Sequence, residues 1–478
     1  MAAISQELNF ADVRRQALSV RNTRLNISNR NGGTILGGGN IQIVLPQQSN
    51  SFLDIQNSFL MFKIGAVSHA CYLDGSAYSL FSRMTARCSG AVLSDLTNMD
   101  AYYATLLTLG LQPAHVSQRG AACWKTGGKP NSSSFGARID TGTKDRQTAA
   151  LPFMHGLFTS EKMIGLDVSD PIVLEWYVNP VFQSCIRAVA GVVNDPTDIQ
   201  LTDIYFVANV CEVSPTTQAL IDQSVGDQGY NLVFDDVVST SAVVPTGSTS
   251  FNFPMSARYS SLSKVLCIAR ASSNANVITQ LSVSNRSAMR LSQVSFTMGG
   301  LKVPNQPILI DTQIPTGSFA LSSNCGNNVA EVMSQLLIGY GTLSHAHAES
   351  TINSFGFNAV GGSGVNGLNF CCDVGTLIAA QQGADIVAVG SAVTPTGVAP
   401  TFASNTNSKD GVGTFAWGYC FEGYLNSQLI SGINSLGMST FATGSMVATL
   451  ESFDITCYST FQAMLSISPL TRSYVISV

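Results

Sequence analysis

Apolar and polar side chains alternate with a period of two through much of this chain. In Ile172-Val173-Leu174-Glu175-Trp176-Tyr177-Val178, the residues Ile172, Leu174, Trp176 and Val178 share one face while Glu175 lies on the other, as a strand with one buried side requires. Similar extended runs occur at Ile41 to Leu45, Ser58 to Ile64, Asp203 to Val213, Leu232 to Val238, Ser250 to Met255, Val265 to Ala269, Leu291 to Met298, Gly444 to Thr449 and Phe453 to Tyr458. Asp74-Gly75, Gly299-Gly300 and Pro245-Thr246-Gly247 supply the turn chemistry between such runs. The pattern predicts an all-β chain of sandwiches or barrels and argues against βαβ units.

Helical periodicity is rare. Ile4, Leu8 and Ala11 predict a small amphipathic helix. A second is expected from Ser214 to Gln223, where Ser214 can cap and Pro215 suits the first turn. It falls near mid-chain between two runs of strands, and so reads as the link between two domains. Stretches rich in Gly, Ser, Asn and Thr at Asn131 to Lys144, Gly361 to Leu368 and Thr394 to Gly413 predict long loops of the kind used for binding or assembly.

Composition sharpens this picture. Only 11% of the residues are charged, against roughly 25% in average soluble proteins. A chain this size must then wet its surface with uncharged polar groups or bury much of it against neighbours, so the flanks between domains and between subunits are expected to lack charge. The net charge of −5 excludes a nucleic-acid binder by bulk electrostatics. Locally, Arg14, Arg15, Arg21, Arg24 and Arg30 outnumber Glu7 and Asp12, which predicts a basic arm able to face an anionic surface such as a genome or lipid headgroups. A solvated start to the first domain is the alternative, because five arginines neutralise few phosphates. The first residues do not read as a signal peptide, and the apolar window Val374 to Val393 is broken by Gln381, Gln382, Gly383 and Asp385, unlike a membrane span. Eleven cysteines without CxxC spacing, one pair vicinal at Cys371-Cys372, predict free buried thiols and synthesis in a cytosol. The Asn-x-Ser/Thr triplets at Asn26, Asn131 and Asn285 would then carry no glycans.

Candidate chemistry is sparse. His345, His347 and Glu349 stand at period two, so a strand would align them as metal ligands; a polar surface patch is the favoured reading. Gly362 to Gly367 matches GxGxxG, but the following Leu368 to Cys372 reads as a strand and not as a phosphate-capping helix. Asp222, Asp227, Asp235 and Asp236 are the densest carboxylates, able to hold a cation but expected to be solvated loop acids. No phosphate loop, zinc helix or nucleophile elbow is present in the sequence. No enzyme activity, cofactor or bound metal is expected.

The run Asn50 to Ile64 resembles the opening of the first jelly roll in double jelly-roll major capsid proteins of the adenovirus-like and polinton-like (virophage-like) DNA viruses. Asp74 to Arg83 and Ser89 to Leu96 are similar to that family's small-residue strand pair. Leu151 to Phe158 precedes a strand ending in Val178-Asn179-Pro180, as in the family, and Phe296 to Ile308 resembles its Gly-to-Pro-x-x-Pro-Ile segment in the second domain. The resemblance implies two consecutive eight-stranded antiparallel jelly rolls with short helices and long loops: an N-terminal arm over 1–40, a first jelly roll over 41–213, a helical linker over 214–226 and a second jelly roll over 227–478. It further implies a homotrimer forming a pseudo-hexagonal capsomer of an icosahedral virion shell, with neighbouring capsomers, penton and minor capsid proteins as partners. The basic arm would face the genome or an internal membrane, and deleting residues 1–30 would then impair shell assembly more than trimer formation. A β-sandwich viral spike or receptor-binding protein would share the composition. A β-rich carbohydrate-active enzyme would need paired carboxylates in an aromatic cleft, and the chain has only three Trp.

Overall fold

A computed structural model of the chain describes residues 20–66, 71–73, 76–88, 90–110, 138–139, 147–168, 170–181, 185–188, 199–226, 229–274, 283, 286, 289, 291–310, 330–340, 415–422, 432–446, 448–449, 451–468 and 474–477. Among the described residues eight principal strands build a first sandwich: β1 Val20–Ser28, β2 Asn40–Val44, β3 Ser51–Ala66, β4 Phe81–Cys88, β5 Ala91–Thr97, β6 Gln147–Leu151, β7 Ile172–Val178 and β8 Ile199–Val213. They pair antiparallel as β1-β8-β3-β6 and β2-β7-β4-β5. Eight more build a second: β9 Tyr230–Val244, β10 Ser250–Pro254, β11 Leu262–Ala271, β12 Leu291–Met298, β13 Leu301–Leu309, β14 Trp417–Cys420, β15 Thr440–Met446 and β16 Phe453–Ile467. Their orders, β9-β16-β11-β14 and β10-β15-β12-β13, repeat the first set strand for strand. First beside last and second beside seventh is the order of a jelly roll, so the chain is two jelly rolls in succession.

Alternation drives both sandwiches. Ile41 and Ile43 of β2 and Ile172, Leu174, Trp176 and Val178 of β7 are buried, and they meet the buried side chains of the facing sheet. The Phe62 ring stands 5.6 Å from Phe81 edge-on, and Trp176 lies between Phe153 and Phe206 at 5.2 and 6.2 Å. The second core is built around Trp417, with Phe251 at 6.0 Å and Phe415 at 6.2 Å. Cys267 and Cys457 face each other there across paired strands as free thiols. Buried aromatic packing of this kind makes each core intolerant of large deletions.

Among the described residues three α-helices join the strands: α1 Met99–Gly110, α2 Pro215–Val225 and α3 Ala330–Tyr340. Helix α2 connects β8 to β9. Its start is fixed by the Ser214 hydroxyl, which accepts from the Thr217 amide, with Pro215 in the first turn. Gly226, at φ 55°, ends it. No helix among the described residues is long and apolar enough to cross a membrane.

The stretch expected as an arm contains a sheet strand. Strand β1 pairs with β8 from Val20↔Val213 to Ser28↔Tyr205, because Leu25 and Ile27 pack on the core while Arg24, Asn26 and Ser28 point outward. Residues 1–19, including the expected helix at Ile4 to Ala11, lie outside the described residues. So do the expected loops Gly361 to Leu368 and Thr394 to Gly413, and most of Asn131 to Lys144.

Replacing Trp176 with alanine removes the ring that spans both sheets of the first jelly roll. We expect a loss of about 3–5 kcal/mol, read as a lowered denaturant midpoint; an unchanged midpoint would show that this core does not hold the domain.

Candidate assembly surfaces and the interdomain seam

The two jelly rolls meet along a polar seam. From the first side it is built by β5, the helix α1 that directly succeeds it, and the turn Gly156–Thr159. The second side is β9 and the outer face of β16. Ser94 donates to Asp236 Oδ1 at 2.6 Å, and both are buried. Thr159 Oγ1 accepts from the Asp235 amide at 2.7 Å, and Lys162 Nζ reaches the Asn231 carbonyl at 3.1 Å. The Tyr458 hydroxyl donates to the Asn98 carbonyl at 2.9 Å, with the Tyr102 ring 5.0 Å from that of Tyr458. Arg286, almost fully buried, donates to Thr105 of α1. Gly156 has φ 58°, and a methyl group there would lie 2.5 Å from Ser94 Oγ. Only glycine fits this approach.

The seam departs from the expected absence of charge. Asp100, Asp236 and Arg286 are all buried. Burial pushes the Asp236 carboxyl up to about 6, against the opposing pull of the Ser94 hydrogen bond. Asp100 is likewise raised by burial, with Arg270 drawing it back. His155 behaves in the opposite sense: burial lowers it to about 3, so it is neutral. Its Nδ1 sits 2.7 Å from the Tyr103 hydroxyl, which itself accepts from the Met154 amide at 2.7 Å. The direction of the Tyr103–Nδ1 bond follows the imidazole tautomer.

Ion pairs lie outside the seam, one of them Lys63–Asp203 at 2.8 Å between β3 and β8, others on the outer face of β4, β5 and β7. Arg83 binds Asp95 through two hydrogen bonds of 2.7 and 2.6 Å, and Arg87 lies 3.0 Å from Glu175. Burial raises the Glu175 carboxyl, but hydrogen bonds from Tyr177 and Gln42, with the Arg87 charge, outweigh it and hold the group below its ordinary value.

The predicted site residues fall apart in space. Arg21 and Arg24 stand exposed on β1 and Arg30 just beyond it, with Arg21 4.0 Å from Glu212; Arg14 and Arg15 lie outside the described residues. So do His345, His347, Glu349, Asp227, Cys371, Cys372 and the GxGxxG segment. Asp235 and Asp236 are not solvated loop acids. They sit in strand β9 and are drawn into the seam because their strand packs against Ser94 and Thr159. Asp222 lies in α2 and accepts from Gln218 and from the Tyr230 hydroxyl. Among the described residues no cluster of His, Cys, Asp and Glu could hold a metal ion. Sequence reasoning missed α1 and its seam residues Asp100, Tyr102 and Thr105. Asn98 before the helix and Gly110 at its end were the local signals.

Comparison with solved structures adds one fact. The PBCV-1 protein VP54, as fitted into a reconstruction of the virophage Sputnik, superposes with a TM-score of 0.54 over 98% of this chain and 99% of that chain, at 10% identity. The Faustovirus major capsid protein gives 0.54 over 96% and 92%, at 8% identity. A quasi-atomic model of the PBCV-1 capsid gives 0.52 over 98% and 99%, at 10%. The chain has the double jelly-roll fold. At these identities the likeness concerns the fold of the whole chain, both jelly rolls included. No family model matches the sequence, and no curated protein does.

Because Asp236 has a folded pKa above its unfolded value of about 4, the folded protein holds the extra proton between about pH 4 and 6. The charged form is disfavoured, so this group costs stability above pH 6, and the cost disappears as the pH falls to 4. Asp236→Asn, which still accepts from Ser94, should be more stable than wild type by roughly 2 kcal/mol at pH 7.5 and equal near pH 4. Denaturant titrations at both pH values check this, and equal midpoints at pH 7.5 would refute it.

Proposed function

We propose that this chain is a viral major capsid protein, a structural subunit and not a catalyst, whose homotrimers stand as pseudo-hexagonal capsomers in an icosahedral shell. The observation that carries the reading is the repeated jelly-roll order in one chain, together with a whole-length likeness in fold to the capsid proteins of PBCV-1 and Faustovirus. Two sandwiches joined side by side give a block with flat sides, and rotational repetition of such a block closes without an open edge. The low charge fits a molecule whose flanks are covered by copies of itself. Neighbouring capsomers, penton and minor capsid proteins are its partners in this reading, and the virion, assembled from protein made in the host cytosol, is its location. Residues 1–19, with Arg14 and Arg15, extend the basic stretch toward genome or membrane on the inner side.

Native mass measurement and negative-stain microscopy of the purified protein test this. Three-chain particles of hexagonal outline, or shell fragments, are expected; a stable monomer with no higher assembly would overturn the reading. Truncation separates the arm from the sheet: removal of residues 1–19 should spare the trimer and impair shells, whereas removal of 1–30 also deletes β1 and should lose both. Normal shells from the shorter truncation would remove the arm from the proposal.

A further inference from the structure

Two thiols meet inside the second jelly roll. Cys267 of β11 stands directly opposite Cys457 of β16, and their Sγ atoms are 3.2 Å apart. On its other side Cys267 is opposite Trp417 of β14. The two cysteines are 0% and 1% exposed, and both are free. Along β16 the side chains alternate, so Cys457 and Tyr458 point to opposite faces. Tyr458 enters the interdomain seam, where its hydroxyl donates to the Asn98 carbonyl. The thiol pair therefore joins the strand that carries the seam to its neighbour in the sheet.

The ladder between β11 and β16 decides what kind of pair this is. Directly opposed residues of an antiparallel ladder alternate between hydrogen-bonded and non-hydrogen-bonded pairs, and the second kind brings its Cα atoms to about 4.5 Å. Just past the strand ends the Ser272 amide donates to the Ser452 carbonyl at 3.0 Å, which makes Ser272 and Ser452 a hydrogen-bonded pair. The register then runs unbroken from Ala271↔Phe453 to Cys267↔Cys457. Cys267↔Cys457 lies an odd number of positions from the serine pair, so it is a non-hydrogen-bonded pair. Its Cα spacing falls in the range of about 4.4–6.8 Å that a disulfide spans. From 3.2 Å, the sulfurs need to close by only about 1 Å to reach bonding distance.

We propose that Cys267 and Cys457 form a modification site, a dithiol in the newly made chain that hydrogen peroxide converts in the folded protein to a disulfide stapling β11 to β16. One sulfur attacks a peroxide oxygen and the O–O bond breaks, leaving a sulfenic acid and one water. The second sulfur attacks the sulfenic sulfur, the S–S bond forms, and the hydroxyl leaves as a second water with the remaining thiol proton. Two thiols are oxidised and one peroxide is reduced. Burial pushes the Cys267 thiol up, and the contact with Cys457 adds to it, so the pair stays protonated and slow to react until the core opens locally. Peroxide is close to water in size and enters such openings. Glutathione is far larger, so the closed core shields the bond once it has formed. The linked positions are 190 residues apart, and a link across so long a loop restricts the unfolded chain strongly. The site lies within one chain and does not depend on the capsid reading.

Peptide mapping of the full chain tests it. The protein is purified under reductant, freed of it, and treated in native buffer with hydrogen peroxide, raised until Cys211, half-buried on β8, is fully oxidised. It is then denatured with an alkylating agent and digested without reduction. The peptides holding Cys267 and Cys457 should be recovered joined, lighter by the two thiol hydrogens. The denaturant midpoint should rise, with the unfolding equilibrium constant lowered roughly 100-fold, and in Cys457→Ala this peroxide-dependent shift should vanish. Excess glutathione should leave the joined peptides intact until the protein is unfolded. Cys267 and Cys457 recovered as alkylated thiols, joined to other cysteines, or oxidised separately to sulfinic acids would overturn the proposal, whether or not the variant folds. A bond that glutathione reduces in the folded protein would overturn the shielding. Either failure leaves the capsid reading standing.

Discussion

The placement of the two jelly rolls depends on a buried polar junction held by directional hydrogen bonds. The outer face of β16 cannot face water once α1 covers it, so Tyr458 has to find an acceptor and finds it in the Asn98 carbonyl at 2.9 Å. Ser94 and Asp236 solve the same problem for each other at 2.6 Å. An unpaired group in such a place would cost as much as several surface contacts supply. The relative placement of the jelly rolls is therefore fixed by directional bonds, where an apolar contact alone would allow sliding.

Electrostatics in the junction is arranged in opposing senses. Asp236 is drawn toward its protonated form and His155 is held neutral, both by burial. As the pH falls from 6 toward 4, relief at Asp236 stabilises the folded chain while the growing demand to protonate His155 favours the unfolded one. The two slopes offset.

Sequence reading reached the strands whose two sides face different surroundings. Ile172 to Val178 and Phe453 to Tyr458 were legible because a core lies on one side and the pattern records it. The capped helix after Ser214 was legible because its cap is local, a hydroxyl three residues from the amide it binds. Strand β1 was hidden by its composition: with Arg21, Asn22, Arg24 and Asn26 it reads as a basic arm, and only pairing with β8 gives Leu25 and Ile27 a core to touch. Asp235 and Asp236 were misread for the complementary reason. Their neighbours in sequence say nothing of Ser94 and Thr159, which approach from another domain.

The chain by itself determined that it would be all-β, poor in charge and helical after Ser214, since alternation, composition and capping are properties of neighbouring residues. Tertiary structure alone decided which faces of the two sandwiches cover one another. Residues 94 and 236, or 98 and 458, meet only after both jelly rolls have closed. Their contact is set by strand order and by the approach that Gly156 permits, and neither has a local periodicity to betray it.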